Sequence, residues 1–372
     1  MTNERIIERF FELVRIDSET KNERAIADYL LKELKALGLE VIEDDSAVRS
    51  GHGAGNIIAT LPGTKKGDHI FFTCHMDTVT PGVGIQPVLK EDGYIYSDGT
   101  TILGADDKAG IAALFEMIHV LQEENIDHPP VQLVITAGEE SGLQGAKAMD
   151  PSLLQAEYGY AVDSTGKVGG VVTAAPYQTK LNVRILGKTA HAGVAPEQGV
   201  SAITLAAKAV AEMTLGRIDE ETTANIGKFY GGEATNIVCD EVNILAEARS
   251  INEEKMEAQV RHMKETFERV AKENGGEAVV DVQRMYPGFS VLEDAPVIQT
   301  AARAIDSIGR SMTLMTSGGG SDGNIFNGFG VPTVTLAVGY EHIHTTDERM
   351  PVEELEALGQ LLVEIVKETT TH

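Results

Sequence analysis

The stretch "HIFFTCHMDTVTPG", residues 69–82, decides the fold. Its first six residues are a continuous apolar run, the signature of a strand covered on both faces. The run then ends in His75 and Asp77, followed by a turn. Working outward, "VQLVITA" (131–137) and "YGYAVD" (158–163) read as further buried strands, and "PTVTLAVG" near the C-terminus as another. "NIIATLPG" (56–63) reads as a strand and turn. Helical patterns lie between them: residues 4–16, 23–37, 107–125, 295–308 and 352–368. The 107–125 segment carries Ile111, Leu114, Phe115, Ile118 and Leu121 at helical spacing. Strands alternating with helices predict an α/β domain with a largely parallel sheet.

The middle of the chain changes character. "QTKLNVRIL" (178–186) alternates as a strand, 201–215 is helical, 224–231 and 243–250 are strands, 253–274 is a long amphipathic helix and 277–285 a last strand. The order β-α-β-β-α-β is a split βαβ sandwich that closes its own core. We therefore expect a catalytic domain of residues 1–176 and 290–372, interrupted by an inserted α+β domain, 177–289. At roughly 150 residues per domain, 372 residues agree with two domains.

Composition narrows the function. A formal net charge of −26 disfavours nucleic acid and anionic membranes as partners. No apolar run approaches the ~20 residues of a membrane span, and the N-terminus has no signal-peptide core. Two cysteines, Cys74 and Cys239, argue against a disulfide scaffold and fit a reducing compartment. The expected location is the cytoplasm.

Ligands of open α/β sheets bind beyond the carboxyl ends of the strands. Reading those ends in turn gives His75 and Asp77, Asp106 and Asp107 after "TILGA", Glu139 and Glu140, Asp163, and finally His342 and His344. Histidines and carboxylates without paired cysteines are the ligand set of a catalytic zinc site. Bridging carboxylates imply two metals ~3.5–4 Å apart, and mixed N/O ligation also suits manganese or cobalt. On a strand, residues 75 and 77 share a side. His75 is thus expected to bind metal through one ring nitrogen while Asp77 accepts a hydrogen bond from the other. Cys74 then faces the core. Of the adjacent glutamates in "GEES", one is expected to be a ligand and the other a general base on water.

These stretches resemble the cocatalytic dinuclear-zinc peptidases and deacylases, a family that includes peptidase T, glutamate carboxypeptidase, aminoacylase and succinyl-diaminopimelate desuccinylase. The matching segments are "TCHMDTV" (73–79), "ILGADDKAGIA" (102–112), "TAGEESGLQGA" (136–146), "AVDS" (161–164), "GKTAHAG" (187–193), "GGGSDGNIF" (318–326) and "IHTTDE" (343–348). "LGADDKAG" is most similar to peptidase T and its close relatives. The resemblance implies two zinc ions per subunit. His75 and Asp163 would bind one, Glu140 and His344 the other, and Asp106 would bridge both. Asp77 would support His75, and Glu139 would be the base acting on a water between the metals. The chain offers His342 and His344 where the family has one histidine; His344, four before Glu348, is the better match. The resemblance also implies a homodimer formed through the inserted domain, with His191 stabilising the oxyanion in the neighbouring subunit's site. Asn236, Arg249 and Gly319 fall where the family contacts substrate. The expected activity is hydrolysis of short peptides by a tripeptide aminopeptidase, with a carboxypeptidase or N-acyl amino acid deacylase as the alternative.

Overall fold

A computed structural model describes residues 3–370. Contacts divide the chain into two units. One comprises the chain up to Ala174, Ser290–Ser317 and the chain from Ser321 on; the other comprises Ala175–Phe289 with Gly318–Gly320. Gly319 thus groups with the second unit and not with the residues from Ser321 on.

The first unit is built on a nine-stranded sheet. Its centre is parallel: Val131–Thr136, Ile70–His75, Tyr158–Ser164 and Thr333–Ala337 lie side by side in that order. The register pairs Cys74 with Ile135 and His75 with Thr136. All six residues of Ile70–His75 and of Val131–Thr136 are buried, as continuous apolar runs require when helices cover both faces. Phe72 stacks on Tyr160 with ring centroids 5.6 Å apart. Burying one such side chain is worth about 1.5–3 kcal/mol. The helix Ala105–Glu123 packs on this sheet and against the helices Asn3–Val14 and Val352–Glu368. Its five apolar positions noted above are all buried.

Several short strands escape the sequence pattern. Glu40–Glu43 is one of them, and pairs antiparallel with Ile57–Leu61, the expected strand of 56–63, which itself pairs antiparallel with Val131–Thr136. Gly170–Ala175 runs antiparallel to Thr333–Ala337 and pairs with Thr313–Thr316. A separate sheet joins Arg349–Pro351, Tyr94–Tyr96 and Val88–Leu89. One expectation is corrected: Asp106 and Asp107 do not follow a strand. "TILGA" pairs with no strand, and Gly104, with φ of 73°, leads directly into the helix Ala105–Glu123.

The second unit is a split βαβ sandwich. Its antiparallel sheet runs Gly216–Arg217, Thr222–Gly231, Glu241–Ser250, Tyr177–Leu186, Glu277–Tyr286. The helices Ala202–Glu212 and Glu253–Glu273 pack on it. Leu181, Val183, Ile185, Val242, Ile244 and Phe267 form the core. Ser201 and Asn252 cap the helices, accepting from the N–H of Thr204 and Lys255 at 3.2 and 3.1 Å. Among the described residues, no helix is long and apolar enough to cross a membrane.

Candidate active site

The parallel strands of the first unit deliver their chemistry at one edge. His75 ends its strand, Asp163 stands at the end of the next, and Glu139 and Glu140 follow Thr136. The helix start brings in Asp106, and the loop after Ala337 brings in His344. His75 Nε2 lies 2.9 Å from Asp106 Oδ1 and 3.9 Å from Asp163 Oδ1. His344 Nε2 lies 3.2 Å from Asp106 Oδ2 and 2.9 Å from Glu140 Oε1. Asp106 therefore turns one oxygen to each imidazole. His75, Asp106 and Asp163 form one group of potential ligands, and Asp106, Glu140 and His344 the other; the ligand atoms of each group lie within 4.8 Å of one another.

The charge balance of the cluster is uneven. Burial, then the neighbouring Asp106, push the Asp163 carboxyl well above its usual range. Burial and Asp163 do the same for Asp107. Removal from water, joined by Asp163, Asp322 and Glu140, raises Glu139 despite the opposing pull of His75. Asp106 goes the other way: hydrogen bonds from His344 and His75 outweigh its burial and hold it below the carboxylate range. His344 is raised to about 10 by Asp106 and Glu140. Burial lowers His75, but Asp106 and Asp77 overcome it and leave it well above its ordinary value. A donor set of one imidazole and two carboxylates in each group, sharing a carboxylate between them, fits a pair of divalent cations of the zinc, manganese or cobalt type.

The supporting contacts differ in one respect from expectation. His75 Nδ1 meets the backbone carbonyl of Asp77 at 2.9 Å, while the Asp77 carboxylate stands 3.6 Å away. The strand has ended at His75, so simple alternation no longer places residue 77. The carboxylate instead accepts from Thr20 Oγ1 at 2.6 Å and from the N–H groups of Glu139 and Glu140 at 3.0 and 3.3 Å. Glu348 accepts from the N–H groups of Leu103, Gly104 and Asp106, at 2.7, 2.8 and 3.1 Å, and so fixes the loop that presents Asp106. Burial raises Glu348 to about 7.

His342 and His344 both have positive φ, 58° and 62°, a strained backbone of the kind that persists at functional sites. Only His344 is in contact with the cluster among these two; His342 is exposed and lines a separate cavity of about 450 Å³ with Lys90, Tyr96 and Arg349. In the second unit, His191 and Asn236 are both exposed, and the Asn236 carbonyl accepts from the Ala192 N–H at 2.9 Å. Arg249, expected to contact substrate, donates to Glu247 Oε1 at 2.8 Å and to the carbonyl of Gly318, beside Gly319, at 3.0 Å. Cys74 and Cys239 are buried free thiols.

Residue-level reading of the sequence assigned nothing to three neighbours of the cluster. Tyr340 donates to Asp163 Oδ1 at 3.0 Å. Lys108 is fully buried, donates to the Ile16 carbonyl at 3.1 Å and is pushed by burial down to about 8. Asp322 is bonded by Thr136 Oγ1, and burial raises it to about 6. A signal existed only for Asp322 and Lys108, which lie inside the motifs "GGGSDG" and "GADDKAG".

A parallel-sheet domain with two groups of potential ligands at its carboxyl edge, and a split βαβ unit inserted in its chain, define a two-domain α/β protein. The chain belongs to peptidase family M20/M25/M40, whose model matches residues 71–368. It is a peptidase T-like member. Aminopeptidase PepT from Bacillus cereus has 60% identity and a TM-score of 0.97, with 100% of both chains covered. A tripeptidase from Staphylococcus aureus has 50% identity and a TM-score of 0.98, again with 100% of both chains covered. The protein YqjE of Bacillus subtilis is 59% identical over 369 residues, 99% of each chain.

Proposed function

We propose that this chain is a cytoplasmic, metal-dependent aminopeptidase that hydrolyses short peptides, tripeptides among them. The observation that carries the reading is the shared carboxylate: Asp106 facing His75 with one oxygen and His344 with the other. His75 and Asp163 would hold one divalent cation, Glu140 and His344 a second, with Asp106 common to both and zinc the expected metal. When bound, such a pair supplies Lewis acidity for the scissile carbonyl and makes a hydroxide nucleophile accessible near neutral pH. Glu139 takes the proton of the attacking water and returns it to the leaving amine. Asp77 keeps Glu139 in place through its backbone N–H. His191 of a second copy of the chain donates to the oxyanion, in the manner of a preorganised hydrogen-bond donor. Asn236, Arg249 and Gly319 contact the substrate. The two solved relatives, an aminopeptidase and a tripeptidase, support this choice over a carboxypeptidase or deacylase.

The test is a substrate panel of free-amine di- and tripeptides and N-blocked amino acids, with and without chelator. Turnover of free-amine tripeptides that chelator abolishes and zinc restores is the expected result. Preference for N-blocked substrates, or activity indifferent to chelator, would overturn it.

A further inference from the structure

The segment Gly51–Asn56 has no role in the reaction above, yet it is anchored firmly. Gly53 N donates to Glu23 Oε2 at 2.7 Å, Gly55 N to Glu43 Oε1 at 2.9 Å, and Asn56 N to Asp44 Oδ1 at 2.8 Å. From this base two side chains reach the turn after Val131–Thr136. Asn56 Nδ2 donates to the Gly145 carbonyl at 2.9 Å, and its Oδ1 accepts from Ala137 N at 3.2 Å. His52, a buried residue, places Nε2 2.8 Å from Ser141 Oγ. Ser141 Oγ in turn donates to the Gly138 carbonyl at 3.1 Å. Because that bond uses the hydroxyl's single proton, Nε2 is the donor to Ser141, an assignment from the hydrogen-bond network.

The His52 ring also lies against Gly138. A Cβ at that position would stand 2.3 Å from Nε2, and Gly138 has φ of +67°. Glycine is therefore required there twice over, for its backbone conformation and for the imidazole beside it. Glu139 and Glu140 are the two residues between these contacts. We propose that His52 is a positioning residue for Glu139 and Glu140, clamping their turn at Gly138 and Ser141 while Asp77 holds it by the N–H groups between. The inference rests on the reading of Glu139 as base and Glu140 as ligand.

The experiment uses the full chain loaded with zinc and compares His52→Ala, His52→Gln and Ser141→Ala. Misplaced ligands and bases cost about 10–100-fold, so His52→Ala should lower kcat by that factor with KM changed less than about twofold. His52→Gln, whose amide can still donate to Ser141, should recover much of the loss. Zinc titration by calorimetry, on the full chain first stripped with chelator, gives a readout independent of turnover: His52→Ala should bind one of its two ions more weakly. Wild-type kcat and zinc affinity in His52→Ala would overturn the proposal. So would a loss that matches the unfolded fraction and persists in His52→Gln. If His52→Ala does not fold, Ser141→Ala and His52→Gln carry the same comparison. Normal turnover by Glu139→Gln would instead sink the reading of the base, while weakened zinc binding in His52→Ala would still support the clamp.

Discussion

Glu139 stands among Asp163, Asp322 and Glu140, and their charge adds to its loss of water in raising its proton affinity. A carboxyl in that setting is suited to carrying a proton and poorly suited to idle solvation. Glu139→Gln removes the proton carrier while keeping size and shape. It should lower kcat by about 10²–10⁴-fold with ion content unchanged, read by steady-state kinetics beside elemental analysis. His344 supports a second prediction. Without bound cations its imidazole keeps its proton up to about 10, against an ordinary 6.5. A ring nitrogen that binds a cation must first give up that proton. Cation uptake at pH 8 should therefore release protons, and apparent affinity should rise with pH across the interval between those two values. Calorimetry in buffers of different protonation enthalpy measures the release directly; heats independent of buffer would contradict it. The sign for the metal-free fold follows from the same shift. The His344 contribution to stability is complete below its ordinary value and is lost as pH rises through about 10. Half-exposure of this side chain keeps that contribution small.

The helix Ala105–Glu123 meets the sheet through glycine. A Cβ at Gly110 would stand 2.5 Å from Asp107 Oδ1 and 2.8 Å from both Cys74 Sγ and the Val162 carbonyl. Those neighbours are a buried carboxylate and two strands of the sheet. Gly110→Ala should destabilise the fold by about 1–3 kcal/mol through overpacking, seen as a lower denaturation midpoint, and should lower activity because Asp106 opens the same helix. A midpoint equal to that of the wild type would show that the helix can move outward at no cost. The same elements show what the sequence made legible. Runs such as Ile70–His75 and Val131–Thr136 announce themselves because burial on both faces leaves no polar position. The gathering of their end residues was legible for the same reason: parallel strands present their carboxyl ends, and so His75, Glu139 and Asp163, at one edge. Glu40–Glu43 was not legible, since it is short, charged at both ends and only partly buried. Val88–Leu89 and Tyr94–Tyr96 owe their order to Arg349–Pro351, over two hundred positions away. The Asp77 contact was missed on physical grounds too. Alternation fails where a strand ends, and a backbone carbonyl carries no residue-specific signal.

At the scale of the whole molecule, the question is whether one chain suffices. The ligand groups and Glu139 all belong to the first unit, whereas His191 lies on an exposed segment of the second. If His191 serves the site of another copy, two inactive variants can complement each other. His191→Ala keeps Glu139 and both ligand groups but lacks the oxyanion donor. Glu139→Gln keeps the donor but lacks the base. In a hybrid dimer, the site built on the His191→Ala chain has its own Glu139 and borrows the intact His191; the opposite site lacks both. Random exchange of equal amounts makes half the dimers hybrid, with one working site in two. The mixture should then recover roughly a quarter of the wild-type rate. Recovery should appear only after subunits have exchanged, and should depend on the mixing ratio with a maximum at equal amounts. A mixture whose rate stays at the weighted mean of the two variants, after exchange has been verified by mass, would mean that each chain completes its own site. His191 would then have to act within its own subunit or not at all.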